Sequence, residues 1–461
     1  MQLVAMGAQD VYLTGNPQIT FFKVVYRRHT NFSKECIAQT FNGSVPTTTE
    51  GSVTCTLARN GDLVQEIYLQ TTVEANPSDV SLALGATTLA TADGVTATND
   101  INTVFSDGDT VYFDKDIKFS DTFTLVKNTN VKIGTIAAGN KIFTLTTTAG
   151  VAINVVDAEK TDPGVLTMTK EAITLDNDDM TDLIKTVEVE IGGQKIDKHY
   201  SQWLDIYNEL FETSHDLRFA MTNGSQTAPN VNTKTHYIPL RFWFNRNPGL
   251  ALPLIALQYH EVKINMTLNP ARSAGAVTIS DANLLVNYLY LDTDERRRFA
   301  QVSHEYLIEQ VQHTGVENEG PITMNFNHPV KALFWTAPGA TLGAAKIQLN
   351  GHDRAASQPH DYYHLVQPYE NGLGHSGKSL NTTSRIWDYV VNTATTNNVG
   401  MYSFCLKPAE HQPSGTCNFS RIDNARLNLD GVSSSYGVYL FAMNYNVLRI
   451  MSGMGGLAYS N

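Results

Sequence analysis

Apolar and polar residues alternate one for one along most of this chain, the period that places successive side chains on opposite faces of a β-strand. "SVTCTLARNGDLVQEIYLQTTV" (52–73) predicts two strands broken at Asn60-Gly61, a pair suited to a hairpin turn. "LIKTVEVEIGGQKI" (183–196) predicts a second hairpin turning at Gly192-Gly193. "YHEVKINMTL" (259–268), "NLLVNYLYLD" (283–292), "ARLNLD" (425–430) and "YGVYLFAMNYNVLRI" (436–450) predict further strands. One segment follows a different period. In "HYSQWLDIYNELFETSHDL" (199–217), Trp203, Ile206, Tyr207 and Leu210 recur every three or four residues, which predicts a short amphipathic helix. Many strands, few helices and turns rich in Gly, Asn and Pro predict sandwiches of antiparallel sheet.

The alternation breaks twice. "LDTDERRRFAQVSHEY" (291–306) places a charge cluster between two strand-rich halves, and reads as a solvated connector at the seam of two β domains. Residues 75–180 form the second break. They hold 15 Asp and Glu against 7 Lys, with no Arg, His, Cys or Trp. Their net −8 supplies two thirds of the −12 carried by the whole chain. Threonine-rich alternation favours strands, so this stretch is expected to be a small β module inserted in a loop of the first domain, with a disordered insert as the alternative.

The 461 residues are 42% hydrophobic and 17% charged, enough apolar content for two or three domains. Neutralising nucleic-acid phosphates needs a basic face, and an acidic chain of pI near 5.5 argues against that role. No apolar run reaches the ~18 residues that span a bilayer, and the first residues lack the charged start and apolar core of a signal peptide. A soluble, non-secreted chain is therefore expected. Cys36, Cys55, Cys405 and Cys417 form no C-x-x-C pair, which points to reduced, buried thiols.

Candidate chemistry is sparse. "GLGHSGKS" (372–379) matches the phosphate-loop pattern, with Gly372, Gly377, Lys378 and Ser379 at the required positions. That mechanism needs an apolar strand before the loop and a helix after it. The polar "HDYYHLVQPYEN" and the poor helix formers of "LNTTSRIWDYVV" supply neither, so the match is read as chance. His352, His360, His364 and His375 lie close in sequence, and His360 and His364 have the spacing of a helical metal pair. Pro359 and Pro368 predict loop there instead, so no metal is expected. Glu188 and Glu190, and Asp178 and Asp179, fall on strand faces or in acidic turns. No serine or cysteine has the setting of an activated nucleophile. No cofactor and no catalysis are expected. Asn-x-Ser/Thr triplets at Asn31, Asn42, Asn223, Asn265, Asn381 and Asn418 are expected to stay unmodified by the secretory route.

The stretches "AQDVYLTGNPQITFFKVVYRRHTNF" (8–32), "VEIGGQKIDKHY" (189–200), "IPLRFWFNRNPGLALPLIALQYHEVKI" (238–264), "LDTDERRRFAQVSHEYLIEQVQ" (291–312), "QPSGTCNFSRIDNARLNL" (412–429) and "NYNVLRIMSGMGGLAYSN" (444–461) resemble the major capsid proteins of the large nucleocytoplasmic DNA viruses. The resemblance covers about residues 1–75 and 180–461, and leaves the insertion outside it. It implies an all-β double jelly roll, two eight-stranded antiparallel sandwiches in one chain, with a β-rich insertion. The implied divisions are an N-terminal docking segment at 1–29, a first roll at 30–293 carrying the insertion at 75–180, a connector at 294–304, and a second roll at 305–461.

The implied function is structural. Three chains would form a trimer of pseudo-hexagonal outline that tiles an icosahedral shell, made and assembled in the host cytoplasm. Its partners would be neighbouring capsomers, minor capsid proteins and an internal membrane, with no direct contact to nucleic acid. The alternative is a jelly-roll protein for host attachment or glycan binding, motivated by the threonine-rich insertion. "FWFNRNPGLALPLIAL" (242–257) is core or, where left exposed, a permanent interface. In "YLTGNPQITFFKVVYRRHTNF" (12–32), Gly15-Asn16-Pro17 marks a turn. Beyond it, Ile19, Phe21, Phe22, Val24 and Val25 would bury against another surface while Lys23, Arg27 and Arg28 meet carboxylates or lipid headgroups. The resembling family places this end on the inner side of the shell. The competing expectation is that the segment plugs the base of its own first roll.

Overall fold

A computed structural model describes residues 7–24, 26–75, 80–90, 94–100, 110–120, 122–137, 142–147, 151–153, 161–170, 180–212, 215–222, 233–271, 277–317, 321–337, 342–354, 356–373, 379–380, 387–388, 399–431 and 437–459. The first half contributes β1 (Phe32–Gln39), β2 (Gly51–Thr56), β3 (Leu63–Ala75), β4 (Ile184–Ile191), β5 (Gln194–Tyr200), β6 (Thr233–Pro239), β7 (Val262–Leu268) and β8 (Val277–Leu291). They form two facing sheets, β1-β8-β3-β6 and β5-β4-β7-β2, paired antiparallel. The second half contributes β9 (His304–Glu317), β10 (Ile322–Thr323), β11 (Pro329–Thr336), β12 (Ala344–Leu349), β13 (His352–Asp353), β14 (Gly400–Ser403), β15 (Ala425–Leu429) and β16 (Val438–Met451). Its sheets run β9-β16-β11-β14 and β10-β15-β12-β13. Numbered from its own start, each half reads first-eighth-third-sixth in one sheet and second-seventh-fourth-fifth in the other. Two jelly rolls of one topology therefore stand in a single chain.

The alternation explains the sandwich. In β7, Val262, Ile264, Met266 and Leu268 are buried while the residues between them are half-exposed. The Gly192-Gly193 turn is a true hairpin, with both glycines at positive φ (57° and 85°), a backbone that matches strand twist.

Asn60-Gly61 is not a hairpin. β2 and β3 belong to opposite sheets, so this pair carries the chain across the sandwich. Gly61 is needed for space, because a Cβ there would lie 2.7 Å from Tyr288 Cβ. A dipeptide suited to a tight turn here serves close packing, which local sequence does not distinguish.

Between β3 and β4 the chain builds a closed barrel in the order 142–147, 94–96, 80–90, 164–170, 110–113, 131–136. Closure pairs each of these six strands on both sides. Among the described residues its core, with Leu84, Phe113, Ile133, Phe143, Leu166 and Met168 among others, draws only on the insertion itself. The charged run at 291–306 forms an exposed helix, Thr293–Gln301, started by the Asp292 side chain accepting from Thr293 N at 2.8 Å. Among the four cysteines, all free, Cys36 is exposed and Cys417 half-buried, so the expectation of buried thiols holds only for Cys55 and Cys405. The polar pattern of "FSKECIAQ" leaves Cys36 on an open sheet face.

Candidate assembly surfaces

Among the described residues, those that might suggest catalysis do not assemble a site. Gly372, at φ +65°, follows the short helix Gln367–Glu370, its N–H reaching Tyr369 O at 3.2 Å. Ser379-Leu380 pairs as a strand with Trp387-Asp388. Helix before and strand after is the reverse of the order a phosphate loop requires. Gly377 and Lys378, like His375, lie outside the described residues.

The loop expected around His360 and His364 is instead helical. A π-helical turn, Tyr362–Val366, runs into Gln367–Glu370, which includes Pro368. The two imidazoles stack, with centroids 6.1 Å apart, rather than converging on an ion. His364 Nδ1 bonds Val399 O at 2.8 Å. Burial holds His360 neutral, pushing its pKa down to about 4, with His364 lowering it further. His352 stands apart in β13. Among the described residues no group of three His, Cys, Asp or Glu side chains could hold a metal ion.

The apolar stretch 242–257 goes into the core rather than to a lateral face. Phe242, Trp243, Phe244, Leu250, Leu252, Leu254 and Leu257 are all buried there.

The seam between the rolls carries the most elaborate chemistry. The helix Ser201–Leu210, placed between β5 and β6, lays Trp203, Ile206 and Leu210 on the β9-β16-β11-β14 sheet of the second roll. Trp203 meets Phe334 edge-on at 5.4 Å and Phe441 at 5.8 Å. Such ring pairs contribute about 1 kcal/mol each beyond the area they bury.

Beside them, the Glu309 carboxylate in β9 accepts from Lys331 Nζ at 2.5 Å and from Arg246 Nη1 at 2.6 Å. Lys331, 0% exposed, also donates to Glu410 O at 2.9 Å and lies 5.0 Å from the centre of the Tyr445 ring. Arg246 comes from the first roll and Glu309 from the second, so this cluster ties them together. The Asp197 carboxylate in β5 makes a further tie, accepting from Val311 N at 3.0 Å.

None of these residues was singled out from sequence. The available signals were a lysine inside the apolar run "PVKALFWT" and a glutamate inside "YLIEQVQ", since a charge in a buried strand needs a partner.

The N-terminal segment contrasts with all this. A short helix, Asp10–Thr14, ends at the predicted turn, where Asn16 takes φ +50°. Beyond it Ile19, Phe21, Phe22, Val24 and Tyr26 are exposed, Phe22 by 97%, as are Lys23, Arg27 and Arg28. Val25 lies outside the described residues. Among the described residues no helix is long and apolar enough to cross a membrane.

Two jelly rolls locked by a buried seam, without convergent catalytic groups among the described residues, define a β-sandwich building block of the double jelly-roll class. The comparisons with known proteins name its family. The sequence model for the major capsid protein N-terminus matches residues 20–99 and 111–306, and that for the large eukaryotic DNA virus major capsid protein matches 295–342 and 382–456. The chain belongs to the major capsid proteins of large eukaryotic DNA viruses and is a structural protein of the virion, not an enzyme.

It is 46% identical to the major capsid protein of Pyramimonas orientalis virus, over 100% of this chain and 99% of that one. It is 36% identical to that of Paramecium bursaria Chlorella virus 1, with the same coverage. A solved structure, "PBCV-1 virus capsid, quasi-atomic model", superposes with a TM-score of 0.62 at 32% identity, covering 96% of this chain and 100% of that one. These matches correct one expectation. The family match runs through most of the insertion, so the barrel belongs to the family's N-terminal part.

Proposed function

We propose that three copies of this chain close into a trimer of pseudo-hexagonal outline that tiles an icosahedral shell, and that residues 1–29 fasten the trimer to the layer beneath. The working division is arm 1–29, first roll 30–293, connector 294–304 and second roll 305–461. Two rolls of one strand order give one chain two similar lateral units, which supports a six-sided block made from three chains. The observation that carries the docking role is the exposure of Phe21 and Phe22 beside Lys23, Arg27 and Arg28. Apolar side chains left in water on a cationic segment are stabilised by an acidic, partly apolar surface, which a minor capsid protein or an anionic membrane offers.

A chain beginning at Thr30 tests this. It should trimerise with an unchanged melting temperature, yet fail to co-sediment with inner-layer proteins or with vesicles containing anionic lipid. A loss of several kcal/mol of stability on truncation would make the arm part of its own roll.

A further inference from the structure

A cavity of about 450 Å³ lies between the connector helix Thr293–Gln301, the start of β9 and the turn at Pro248-Gly249. That volume suits a small molecule better than a folded segment. Leu63 and Ala251 in its wall share an apolar cluster with Leu289, Leu291 and Phe299. Leu291 pairs with Phe32, the first residue of β1. The N-terminal arm therefore leaves the first roll beside this cavity.

The lining combines three kinds of group. Phe299, His304 and Tyr306 supply an aromatic wall. His304 stacks on Phe299 with centroids 5.3 Å apart and lies 6.0 Å from Tyr306. Its Nε2 donates to Phe299 O at 2.9 Å, which fixes the ring in place. Glu295 and Glu305 supply carboxylates, and Arg298 supplies a guanidinium. Glu305 is paired with Arg449 at 2.8 Å, whereas Glu295 and Arg298 make no ion pair among the described residues.

This lining selects by charge. A simple anion would find Arg298 but also two carboxylates, and a simple cation would find the carboxylates but also the guanidinium. A ligand that carries an ammonium close to an anion satisfies both. The rings narrow the ammonium further, because aromatic faces attract a quaternary ammonium, which has no N–H to satisfy. Arginine, for its part, matches a phosphate with two parallel N–H groups. We propose that the cavity binds a phosphocholine group borne by a lipid. Its phosphate meets Arg298, and its trimethylammonium sits against Phe299, His304 and Tyr306 beside Glu295. The lipid source rests on the docking reading above, since Phe21 and Phe22 of the adjacent arm are exposed and suited to an apolar layer.

Calorimetry on the full-length chain, with free phosphocholine as the probe, tests the cavity. Phosphocholine should bind about tenfold more tightly than choline or inorganic phosphate. Arg298→Glu should weaken it by about tenfold or more, and Glu295→Gln by less. Arg298 is exposed and Glu295 half-exposed, so both variants should keep the melting temperature. Phe21→Ser with Phe22→Ser should leave this binding unchanged, because the arm contributes nothing to the cavity. No binding by the unaltered chain, or equal binding by Arg298→Glu, would overturn the proposal. Co-sedimentation with phosphatidylcholine vesicles tests the source. The unaltered chain should sediment with them, and neither Arg298→Glu nor the arm variant should. Binding of free phosphocholine without co-sedimentation would overturn the lipid source. An arm variant that sediments as well as the unaltered chain would overturn the docking reading and leave the cavity standing.

Discussion

The first and second rolls have the same strand order, but their β1-β8-β3-β6 and β9-β16-β11-β14 sheets meet different surroundings, and their sequences differ accordingly. β11, "PVKALFWT", is buried at every position but its ends, because its sheet has its own core on one side and the Ser201–Leu210 helix on the other. β16 is buried almost continuously from Val438 to Asn446. β1, "FSKECIAQ", has no fully buried residue. A strand covered on both faces loses its alternation and reads as an apolar run, whereas one with an open face keeps polar residues there. What distinguishes the rolls is therefore which faces another element covers, and topology alone does not reveal it.

Uncovering the second roll should have the largest effect. Trp203→Ala removes the ring seated on Phe334 and Phe441 and should cost about 4 kcal/mol in chemical denaturation. It should also split one unfolding transition into two, as the rolls lose their common seam. A single transition with an unchanged midpoint would show that the seam contributes little.

Glu309→Gln should follow, at about 3 kcal/mol. It leaves Lys331 and Arg246 without the carboxylate that compensates them, Lys331 in a fully buried position. Adding Lys331→Met should recover part of the loss, because an apolar side chain has no charge to desolvate. If the double variant is less stable than the single one, packing rather than charge dominates there.

The helical turns of the second roll should show themselves in pH dependence. His360 titrates near 4 in the folded chain and near the ordinary 6.5 in the unfolded one. Between those values the unfolded state binds more protons, so stability is complete above about pH 6.5 and falls as pH drops towards 4. The loss is at most about 3 kcal/mol. Burial also lowers His313 and His411, so His360→Phe should flatten this slope only in part. An identical pH profile in the variant would rule His360 out as a contributor.

Excising the barrel should matter least. A short Gly/Ser link replacing residues 76–179 should leave the melting temperature of the rolls within a few degrees, because among the described residues the barrel core borrows nothing from them. Failure to fold would mean that β3 and β4 depend on the barrel for their register.

By itself the sequence determined the class of structure. Period-two patterning in "VKINMTL", the double-glycine hairpin, the helical spacing around Trp203 and the turn at Gly15-Asn16-Pro17 are local signals, written in the residues that form them. Only the tertiary structure decided which strands share a sheet. Asn60-Gly61 has the same local propensity whether the chain turns back or crosses over, and Tyr288, more than two hundred residues away, makes the difference. The same holds for the ion cluster of Arg246, Glu309 and Lys331. Whether a charged side chain is solvated or buried with a partner depends on what the fold brings beside it, and no pattern along the chain encodes that neighbour.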